Sequence, residues 1–271
     1  MAGKVIAVCG NAGSGKSTIC ASLAATFSEQ NKIVIVYGTR IDYPSIQSFF
    51  NELVPEERSI KKLYEDISLN ISVHIKDYLV QYKNTNIFLL TLPDNADVLT
   101  LAESKILPDK QQCKNIILSL KSVCDYLLID CDTDISNHVS AWGQNYADII
   151  IHLTKPTQQG LRFENAYQRY FEHIWRGQVI NVANADKNYI GIKDFTKALN
   201  KKLSFDVVIS YDEQVELSEN TGIPAIENYH RMKIFGSNFK SEFMELVKII
   251  ERSDVQYLNK ENIDERGVED E

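Results

Sequence analysis

The sequence lacks long hydrophobic runs. None of its apolar stretches approaches the roughly 18 consecutive residues that a membrane-spanning helix needs. The stretch from Met1 to Cys9 holds one lysine and a short apolar run that leads directly into a glycine-rich loop. That pattern is typical of a first β-strand rather than of a signal peptide, so we expect a cytoplasmic protein.

Cysteine is also scarce. The chain has 5 cysteines, an odd number, and no two of them have the C-x-x-C spacing of a zinc or redox motif. The composition therefore argues against a disulfide framework and against a zinc site. It favours reduced cysteines that serve as small apolar residues.

Basic residues are fewer than acidic ones: 29 lysines and arginines against 37 aspartates and glutamates give a net charge of −8. This balance excludes a strongly basic nucleic-acid-binding surface. A cluster of Lys193, Lys197, Lys201 and Lys202 leaves a weak DNA-binding patch open, although it is also typical of a solvated helix face. The acidic stretch Asn262–Glu271 would be repelled by anionic lipid, so we expect no direct membrane binding.

Linkers rich in proline, glycine and serine, internal repeats and low-complexity segments are missing from the sequence. With 271 residues, 44% of them apolar, the chain is long enough for one large core. We therefore predict one domain, residues 1–252, followed by an acidic and flexible C-terminal tail, residues 253–271.

Strand-like and helix-like segments alternate along the whole chain. The strand-like runs are apolar and β-branched without polar alternation, as in parallel strands covered on both faces. They are Lys4–Cys9, Ile33–Tyr37, Ile87–Leu92, Tyr126–Asp130, Asp148–Leu153, Gln178–Val182 and Phe205–Ile209. The helix-like segments are Ser17–Gln30, Pro44–Leu53, Ile60–Lys83 (in two pieces), Lys110–Val123, Ser136–Tyr146, Gln158–Ile174, Ile192–Leu199, Asp212–Asn220 and Lys233–Arg252. The alternation predicts an α/β fold with a single doubly wound, mostly parallel sheet flanked by helices.

A glycine-rich loop follows the first predicted strand and opens the first predicted helix. Its sequence, GNAGSGKS at Gly10–Ser17, fits the phosphate-loop pattern G-x-x-x-x-G-K-[ST]. This strand–loop–helix context is the one in which the pattern binds nucleotide phosphates. The residues of the loop expected to bind nucleotide are Gly10, Asn11, Ala12, Gly13, Ser14, Gly15, Lys16, Ser17 and Thr18.

The residue types of this loop suit the binding of phosphate. Gly13 and Gly15 let backbone N–H groups approach phosphate oxygens without a Cβ in the way, and the helix N-terminus adds its positive end. Lys16 supplies a positive charge to the β- and γ-phosphates, which makes it the first candidate catalytic residue, and the Ser17 hydroxyl is placed to bind Mg²⁺. We therefore expect ATP or ADP together with Mg²⁺.

A second acid is expected near the metal. Asp130 ends the predicted strand Tyr126–Asp130, and the carboxyl ends of parallel strands form the ligand edge of such a sheet. Asp130 is therefore the candidate to hold Mg²⁺ through a water molecule, although it also suits a helix cap or a loop. Asp132 and Asp134 follow in the loop and are interpreted as solvated turn residues, with a γ-phosphate-sensing switch as the alternative.

Four blocks, in order along the chain, resemble the MinD/ParA branch of P-loop ATPases. They are KVIAVCGNAGSGKSTICASLAATFSEQNKIVIVYG at 4–38, FLLTLPDNAD at 88–97, DYLLIDCDTDISNHVSAWGQNYADIIIHLTKPTQQGLR at 125–162 and VISYDEQVELSENTGIPAI at 208–226. The first block is shared by many P-loop proteins, whereas the third and fourth are more specific to this branch. The resemblance covers nearly the whole chain.

Members of this branch position cellular structures, and they include septum-site and partition types and the TadZ/CpaE-like proteins of pilus and secretion systems. The resemblance implies an ATPase that acts as a nucleotide-dependent positioning or localisation switch. It also implies an ATP-dependent homodimer and a protein partner in a localisation or secretion system. Through that partner the chain would be recruited to a polar or membrane-associated complex.

Two positions depart from the branch. Members of the branch usually have a lysine directly after the first glycine of the loop, and that lysine reaches the phosphates across an ATP-sandwiched dimer. This chain has Asn11 at the position of that lysine. The branch also has an acid pair at the end of its second strand, where this chain has Thr39, with Asp42 displaced by a few residues. A hydroxyl is a poor base, so we expect slow hydrolysis. Asp42 is the second candidate catalytic residue, as a water-positioning acid, although it also suits a helix N-cap ahead of Pro44.

By the same resemblance, the base of the nucleotide contacts the end of the sixth strand and the loop after the seventh. Asn181 is expected at that strand end and can both donate to and accept from adenine, although it also suits a turn at the start of a loop. Ser210 and Tyr211 occupy the late loop, where the branch usually has proline. These three residues complete the candidate nucleotide-binding set.

The sequence is compatible with three functions. The first is a Mg²⁺-dependent positioning ATPase of low turnover. The second is an ATP-binding interaction scaffold with little or no hydrolysis, which Asn11 and Thr39 favour. The third is a small-molecule P-loop kinase, which the phosphate loop alone would suit but which the third and fourth blocks do not favour.

Overall fold

The structure, a computed structural model, describes residues 3–96, 106–187, 190–200, 203–232 and 238–264. Parts of several sequence predictions lie outside these residues, including some residues of the predicted domain 1–252. They also include Asp97 of the block at 88–97, Lys201 and Lys202 of the lysine cluster, residues 233–237 of the last predicted helix, and residues 265–271 of the predicted tail. Within the described ranges, no helix combines the length and the apolar character that a membrane crossing requires.

An eight-stranded sheet forms the centre of the described structure. Its strands are β1 Lys4–Gly10, β2 Val34–Gly38, β3 Val80–Gln81, β4 Ile87–Leu90, β5 Tyr126–Asp130, β6 Ile149–Thr154, β7 Gln178–Asp186 and β8 Val207–Ser210. They follow the order β3-β4-β2-β5-β1-β6-β7-β8. Only the pairing of β3 with β4 is antiparallel among the described pairs. The predicted mostly parallel α/β fold is confirmed.

Helices cover both faces of this sheet. They are α1 Lys16–Glu29, α2 Ile60–Ser68, α3 Lys110–Lys121, α4 His138–Asn145, α5 Gln158–Ile174, α6 Ile192–Ala198, α7 Glu213–Thr221, α8 Ala225–Met232 and α9 Phe239–Asp264. Side chains alternate along β1: Ile6 and Val8 belong to a core cluster with α1 and α9, and Val5 and Ala7 belong to a cluster with α2 and α3. Because both faces are covered, the strands read as continuous apolar runs.

The register brings the carboxyl ends of the central strands together. Val8 of β1 and Gly38 of β2 both pair with Asp130 of β5. On the other side of β1, Gly10 pairs with Leu153 of β6. Gly10 has a φ of +148°, and a Cβ at this position would lie 2.0 Å from the Leu153 carbonyl oxygen. Glycine therefore lets β1 turn into the loop at the edge where Asp130 also ends its strand.

The structure differs most from the sequence prediction between residues 44 and 83. The helix predicted for Pro44–Leu53 is a 3₁₀ segment, Ser45–Phe49, and Asn51 follows it with a φ of +40°. The helix predicted in two pieces for Ile60–Lys83 is replaced by α2, a 3₁₀ turn at Ile75–Tyr78 and strand β3. Asn70, two residues after the end of α2, has a φ of +56°. Asparagine tolerates the left-handed region and so ends helices that the apolar pattern alone would continue.

The C-terminal part also differs in its helix bounds. Helix α8 was not predicted, because the sequence before it, Gly222-Ile223-Pro224, is typical of a loop; Gly222 ends α7 with a φ of +64°. The helix predicted for Lys233–Arg252 is α9, which runs from Phe239 to Asp264. The division of the chain into a domain and a tail at residue 252 stays a prediction.

Stability should depend on the central strand far more than on the surface of the helices. Leu128 in β5 is fully buried, whereas 52% of Leu118 on α3 is exposed. We expect Leu128→Ala to lower the free energy of unfolding by about 2–5 kcal/mol, because it removes buried contacts and leaves a cavity. Leu118→Ala, the matched control, should change it by less than about 0.5 kcal/mol. Equilibrium urea unfolding measures both, and equal effects would contradict the described packing.

Candidate nucleotide-binding site

The loop between β1 and α1 has the conformation that an anion site requires. Gly13 and Gly15 have φ values of +70° and +88°, and a Cβ on Gly13 would meet no atom within 4 Å. Gly15 is the N-cap of the 14-residue helix α1, and no side chain caps that end. The first N–H groups of α1 therefore have no side-chain acceptor, and phosphate oxygens are suitable acceptors for them.

Lys16 lies across this loop. Its Nζ donates hydrogen bonds to the carbonyl oxygens of Gly10 (3.2 Å) and Asn11 (3.1 Å) and to Thr133 Oγ1 (2.9 Å). Burial lowers the pKa of Lys16, and the Asp130 carboxylate opposes that shift. The ammonium group is thus held at the loop by oxygen acceptors, and one of these acceptors belongs to the loop after β5.

Ser17 and Asp130 are brought together as the sequence suggested. Ser17 Oγ donates to Asp130 Oδ2 at 2.7 Å. Asp130 is only 5% exposed, and its Oδ1 has no hydrogen-bond partner in the described structure. Burial raises the pKa of Asp130 to about 6, although Ser17, Lys16 and Arg40 act against the shift.

The buried polar atoms around the loop test whether the site suits a nucleotide and a divalent cation. Asn11 Oδ1, Ser14 Oγ and Asp130 Oδ1 are buried without a hydrogen-bond partner in the described part of the chain. Buried polar atoms are normally paired, so unpaired ones around an open loop indicate a ligand. A hydroxyl beside a carboxylate oxygen is also a donor set that Mg²⁺ accepts. The residues present therefore fit nucleotide phosphate and Mg²⁺.

Thr39 has a structural role at the end of β2. Its Oγ1 donates to the Asp130 carbonyl oxygen (3.0 Å) and accepts from the Asp132 N–H (3.3 Å), and its own carbonyl accepts from Asn137 Nδ2 (2.9 Å). The side chain is fully buried. Thr39 thus fixes the loop after β5 to β2, a role that no pattern in the sequence indicated.

Asp132 and Asp134 make the local contacts of turn residues. Asp132 Oδ1 accepts from the Thr133 N–H (2.6 Å), and its Oδ2 accepts from Asn137 Nδ2 (3.2 Å). Asp134 accepts from both the N–H and the hydroxyl of Ser136, each at 2.8 Å. These bonds agree with the interpretation of both acids as turn residues, but only Asp134 is solvated, because the Asp132 side chain is 10% exposed.

Asp42 lies at the surface beside Arg40. Its Oδ1 is 3.4 Å from Arg40 Nε and accepts a hydrogen bond from the Tyr43 N–H at 3.0 Å. No contact joins it to the phosphate loop or to Asp130 among the described residues. It is not a helix N-cap either, since Pro44 holds that position in the 3₁₀ segment. Arg40 also approaches Asp132, with 3.8 Å between its Nε and Oδ1.

The expectation that Asn181 ends its strand is wrong, because β7 continues to Asp186. Asn181 Oδ1 lies 3.2 Å from His152 Nδ1, away from the loop. Asn184 lies at the loop instead: its Nδ2 donates to the Ser14 carbonyl oxygen at 2.7 Å. A Cβ on Gly15 would lie 2.3 Å from that nitrogen. Sequence reasoning would have pointed to Asn184, in the sequence VANAD, only if the predicted strand Gln178–Val182 had been extended by several residues.

A cavity of about 350 Å³ adjoins the loop on the side of Asn184. Besides Asn184, its lining includes Gly13, Gly15, Thr18, Ser210 and Tyr211. The structure thus brings the late loop to the phosphate loop, as the sequence suggested for Ser210 and Tyr211. The Ser210 hydroxyl donates to Glu242 Oε1 at 3.0 Å, and the Tyr211 hydroxyl donates to Glu216.

Comparison with known proteins identifies a family from the sequence and a shared fold from solved structures. The family model described as anion-transporting ATPase matches residues 3–264 of the chain. None of the curated proteins matches the chain significantly in sequence.

Three solved structures illustrate the shared fold. The septum site-determining protein MinD of Pyrococcus horikoshii OT3, complexed with Mg-ADP, has 17% identity and a TM-score of 0.69 over 91% of this chain and 95% of that one. A putative plasmid partition protein of Borrelia burgdorferi B31, bound to AMPPNP, has 20% identity and a TM-score of 0.68 over 92% and 99%. A chain of the MinC:MinD cell division protein complex of Aquifex aeolicus has 16% identity and a TM-score of 0.67 over 91% and 96%. The MinD/ParA-like fold predicted from the sequence is confirmed.

Removing the buried charge of Asp130 should stabilise the protein when nucleotide and Mg²⁺ are absent. The folded-state pKa of about 6 lies above the ordinary value of 3.8. The protonated carboxyl therefore favours folding, and that contribution is lost as the pH rises through the folded-state pKa. We expect Asp130→Asn to raise the free energy of unfolding by about 1–3 kcal/mol at about pH 8 and by little near pH 4.

Urea unfolding in EDTA over this pH range measures the effect. Asp77→Asn, at an exposed carboxylate, is the matched control and should show a small difference. If Asp130→Asn lowered stability at neutral pH, or if its effect were the same at every pH, the buried carboxylate would not be the destabilising group.

Proposed function

The chain belongs to the anion-transporting ATPase family, and we propose that it is a nucleotide-dependent switch that binds ATP with Mg²⁺ and hydrolyses it slowly. The observation that carries this proposal is the pairing of Ser17 with the buried Asp130, 2.7 Å apart, directly beside a phosphate loop with an uncapped helix N-terminus. The MinD and plasmid partition structures described above hold Mg-ADP and AMPPNP, which supports a nucleotide in the same fold.

The chain's own residues divide the binding task. The phosphates would be held by the first N–H groups of α1 and by Lys16. Mg²⁺ would be held directly by Ser17 and, through a water molecule, by Asp130. Mg²⁺, when bound, neutralises phosphate charge. Asn184, Ser210 and Tyr211 line the adjoining cavity of about 350 Å³, which suits the nucleoside. In this proposal Asn184 replaces Asn181 as the asparagine that contacts the nucleotide.

The switch is the segment 131–137 after β5. Thr133 Oγ1 accepts the hydrogen bond of Lys16 at 2.9 Å, and the Thr133 carbonyl accepts from the Tyr167 hydroxyl of α5 at 3.4 Å. When Lys16 turns toward phosphate, Thr133 loses its donor, and the segment and α5 can take another arrangement. A ligand that is bound better by one of two arrangements shifts the balance between them.

Two observations support slow turnover. Asn11 is 4% exposed, and its Nδ2 donates to the Ala12 carbonyl at 3.2 Å, so it offers no charge to a second copy. Asp42 is held at the surface by Arg40 and Tyr43. The second candidate function is therefore an ATP-binding scaffold that hardly hydrolyses ATP. In both cases the output is an interaction, either an ATP-dependent homodimer or a protein partner, as in the MinC:MinD complex of the Aquifex relative.

Incubation with Mg·ATP, with phosphate release and molar mass followed in the same sample, tests the proposal. Turnover together with an ATP-dependent mass change supports the switch, whereas tight binding with neither supports the scaffold.

We expect Lys16→Ala to weaken ATP binding at least about 100-fold, because the loss of a charge-assisted contact removes about 3 kcal/mol. Lys32→Ala, at an exposed lysine, is the matched control. Unchanged ATP affinity of Lys16→Ala would refute the phosphate-loop assignment.

The missing lysine of the loop can be restored. We expect Asn11→Lys to raise phosphate release and ATP-dependent self-association, since a lysine at this place would reach the phosphates of a second copy. Asn11→Gln adds length without charge and is the control. If the lysine variant behaved like the glutamine variant in both assays, the absent charge would not explain slow turnover.

A further inference from the structure

The proposed nucleotide site fixes the direction in which a triphosphate would lie. The cavity that suits the nucleoside borders the phosphate loop on the side of Asn184 and β7. Ser17 and Asp130, the proposed Mg²⁺ ligands, meet on the other side of β1, at the end of β5. Mg²⁺ bridges the β- and γ-phosphates of a bound nucleotide. The γ-phosphate would therefore lie beside β5 and its neighbour β2, away from the nucleoside.

Arg40 lies at this end of the site. It follows β2, in which Gly38 pairs with Asp130 of β5. The preceding residue, Thr39, donates to the Asp130 carbonyl oxygen through its N–H at 3.2 Å and through its hydroxyl at 3.0 Å. Burial lowers the pKa of Lys16 and raises that of Asp130, and the positive charge of Arg40 lowers both pKa values. The guanidinium group is therefore close enough to act on both charged groups of the site.

The ion pairs of Arg40 are loose. Its Nε lies 3.4 Å from Asp42 Oδ1 and 3.8 Å from Asp132 Oδ1. Both distances exceed the usual N–H···O range of about 2.7–3.2 Å, and this nitrogen makes no hydrogen bond in the described structure. The guanidinium also lies over the Tyr43 ring, 4.3 Å from its centroid, and contacts the Tyr43 hydroxyl. Because 28% of the Arg40 side chain is exposed, ion pairs of this kind contribute little to its position.

A phosphate group is a better partner for this guanidinium than either carboxylate at its present distance. Arginine donates two parallel N–H bonds to phosphate oxygens, and such charge-assisted pairs are among the strong hydrogen bonds of proteins. An arginine at the terminal phosphate also stabilises the charge that develops there during phosphoryl transfer. The γ-phosphate would therefore draw Arg40 away from the two aspartates.

The other basic side chains near the loop have different positions. Lys16 lies across the loop itself, where it serves the β- and γ-phosphates alike. Lys155 lines the cavity on the side of the nucleoside. Asn11, at the place where the family resemblance implies a lysine, carries no charge. Arg40 is thus placed to bring a further positive charge to the γ-phosphate from the same chain.

We propose that Arg40 contacts the γ-phosphate of the bound nucleotide and so distinguishes ATP from ADP. The inference rests on the proposed function, since it needs a nucleotide in the phosphate loop. The guanidinium leaves Asp42 and Asp132 and donates to oxygens of the γ-phosphate. ADP lacks this phosphate and offers Arg40 no partner at the same place. The contact supplies from the same chain a charge that Asn11 does not offer to a second copy.

Isothermal titration calorimetry of the full chain with Mg²⁺ and either AMPPNP or ADP tests this inference, because only AMPPNP has a γ-phosphate. We expect Arg40→Ala to weaken AMPPNP binding at least about tenfold, since it removes charge-assisted bonds. ADP binding should weaken by less than about threefold, because ADP loses only the long-range attraction of the charge. Arg252→Ala, at an exposed arginine of α9, is the matched control and should leave both affinities unchanged.

A second variant, Arg40→Lys, keeps the charge but not the two parallel donors. It should weaken AMPPNP binding less than Arg40→Ala does and bind ADP as the parent does, and urea unfolding verifies that both variants fold. Unchanged AMPPNP affinity in Arg40→Ala, or an equal loss of affinity for AMPPNP and ADP, would overturn the inference and leave the proposed function intact. If the parent bound neither nucleotide, the proposed function itself would fail, and this inference with it.

Discussion

The parallel pairing of β5 between β1 and β2 fixes Asp130, and the candidate site depends on that position. Because Val8 and Gly38 both pair with Asp130, its carboxylate stands at the edge where β1 turns into the phosphate loop. The hydrogen bond from Ser17 then ties the first turn of α1 to the end of β5. A charge held there is unfavourable without a cation, so the protein keeps a destabilising group at the place where we propose that Mg²⁺ binds.

Lys16 and Thr39 contact the segment 131–137 after β5 in two different ways. Thr39 holds its beginning through buried contacts with the backbone of Asp130 and Asp132. Lys16 contacts Thr133 through one side-chain bond at the phosphate loop, and Thr133 Oγ1 also donates to the Gly10 carbonyl oxygen at 3.4 Å. In the proposed function, a nucleotide competes for the same ammonium group. Tyr167 connects Thr133 to α5. In the proposed switch, the start of the segment stays fixed and its middle is released, so that only part of it has to move.

Helix α5 borders two distinct regions of the molecule. Through Tyr167 it contacts the segment after β5, and through Glu164 and Phe171 it lines a cavity of about 360 Å³ that shares no lining residue with the cavity beside the phosphate loop. Two asparagines of β7 also contact different regions. Asn184 contacts the phosphate loop through Ser14, whereas Asn181 contacts His152, which lines the other cavity. They are three positions apart along the strand, and this odd spacing places them on opposite faces of the sheet.

The sequence by itself determined the class of fold, the phosphate loop and the acid at the end of β5, because these rest on local patterns: apolar strands, glycine spacing and a strand-ending carboxylate. It did not show where β7 ends, and Asn181 was therefore predicted to contact the nucleotide in place of Asn184. It also could not show that Thr39 serves the backbone or that Asp42 turns to Arg40. The end of β7 and the contacts of Thr39 depend on which strands pair, and the contact of Lys16 with Thr133 joins residues 117 positions apart. Only the tertiary structure decides such contacts, because burial and hydrogen bonding are properties of the packed chain.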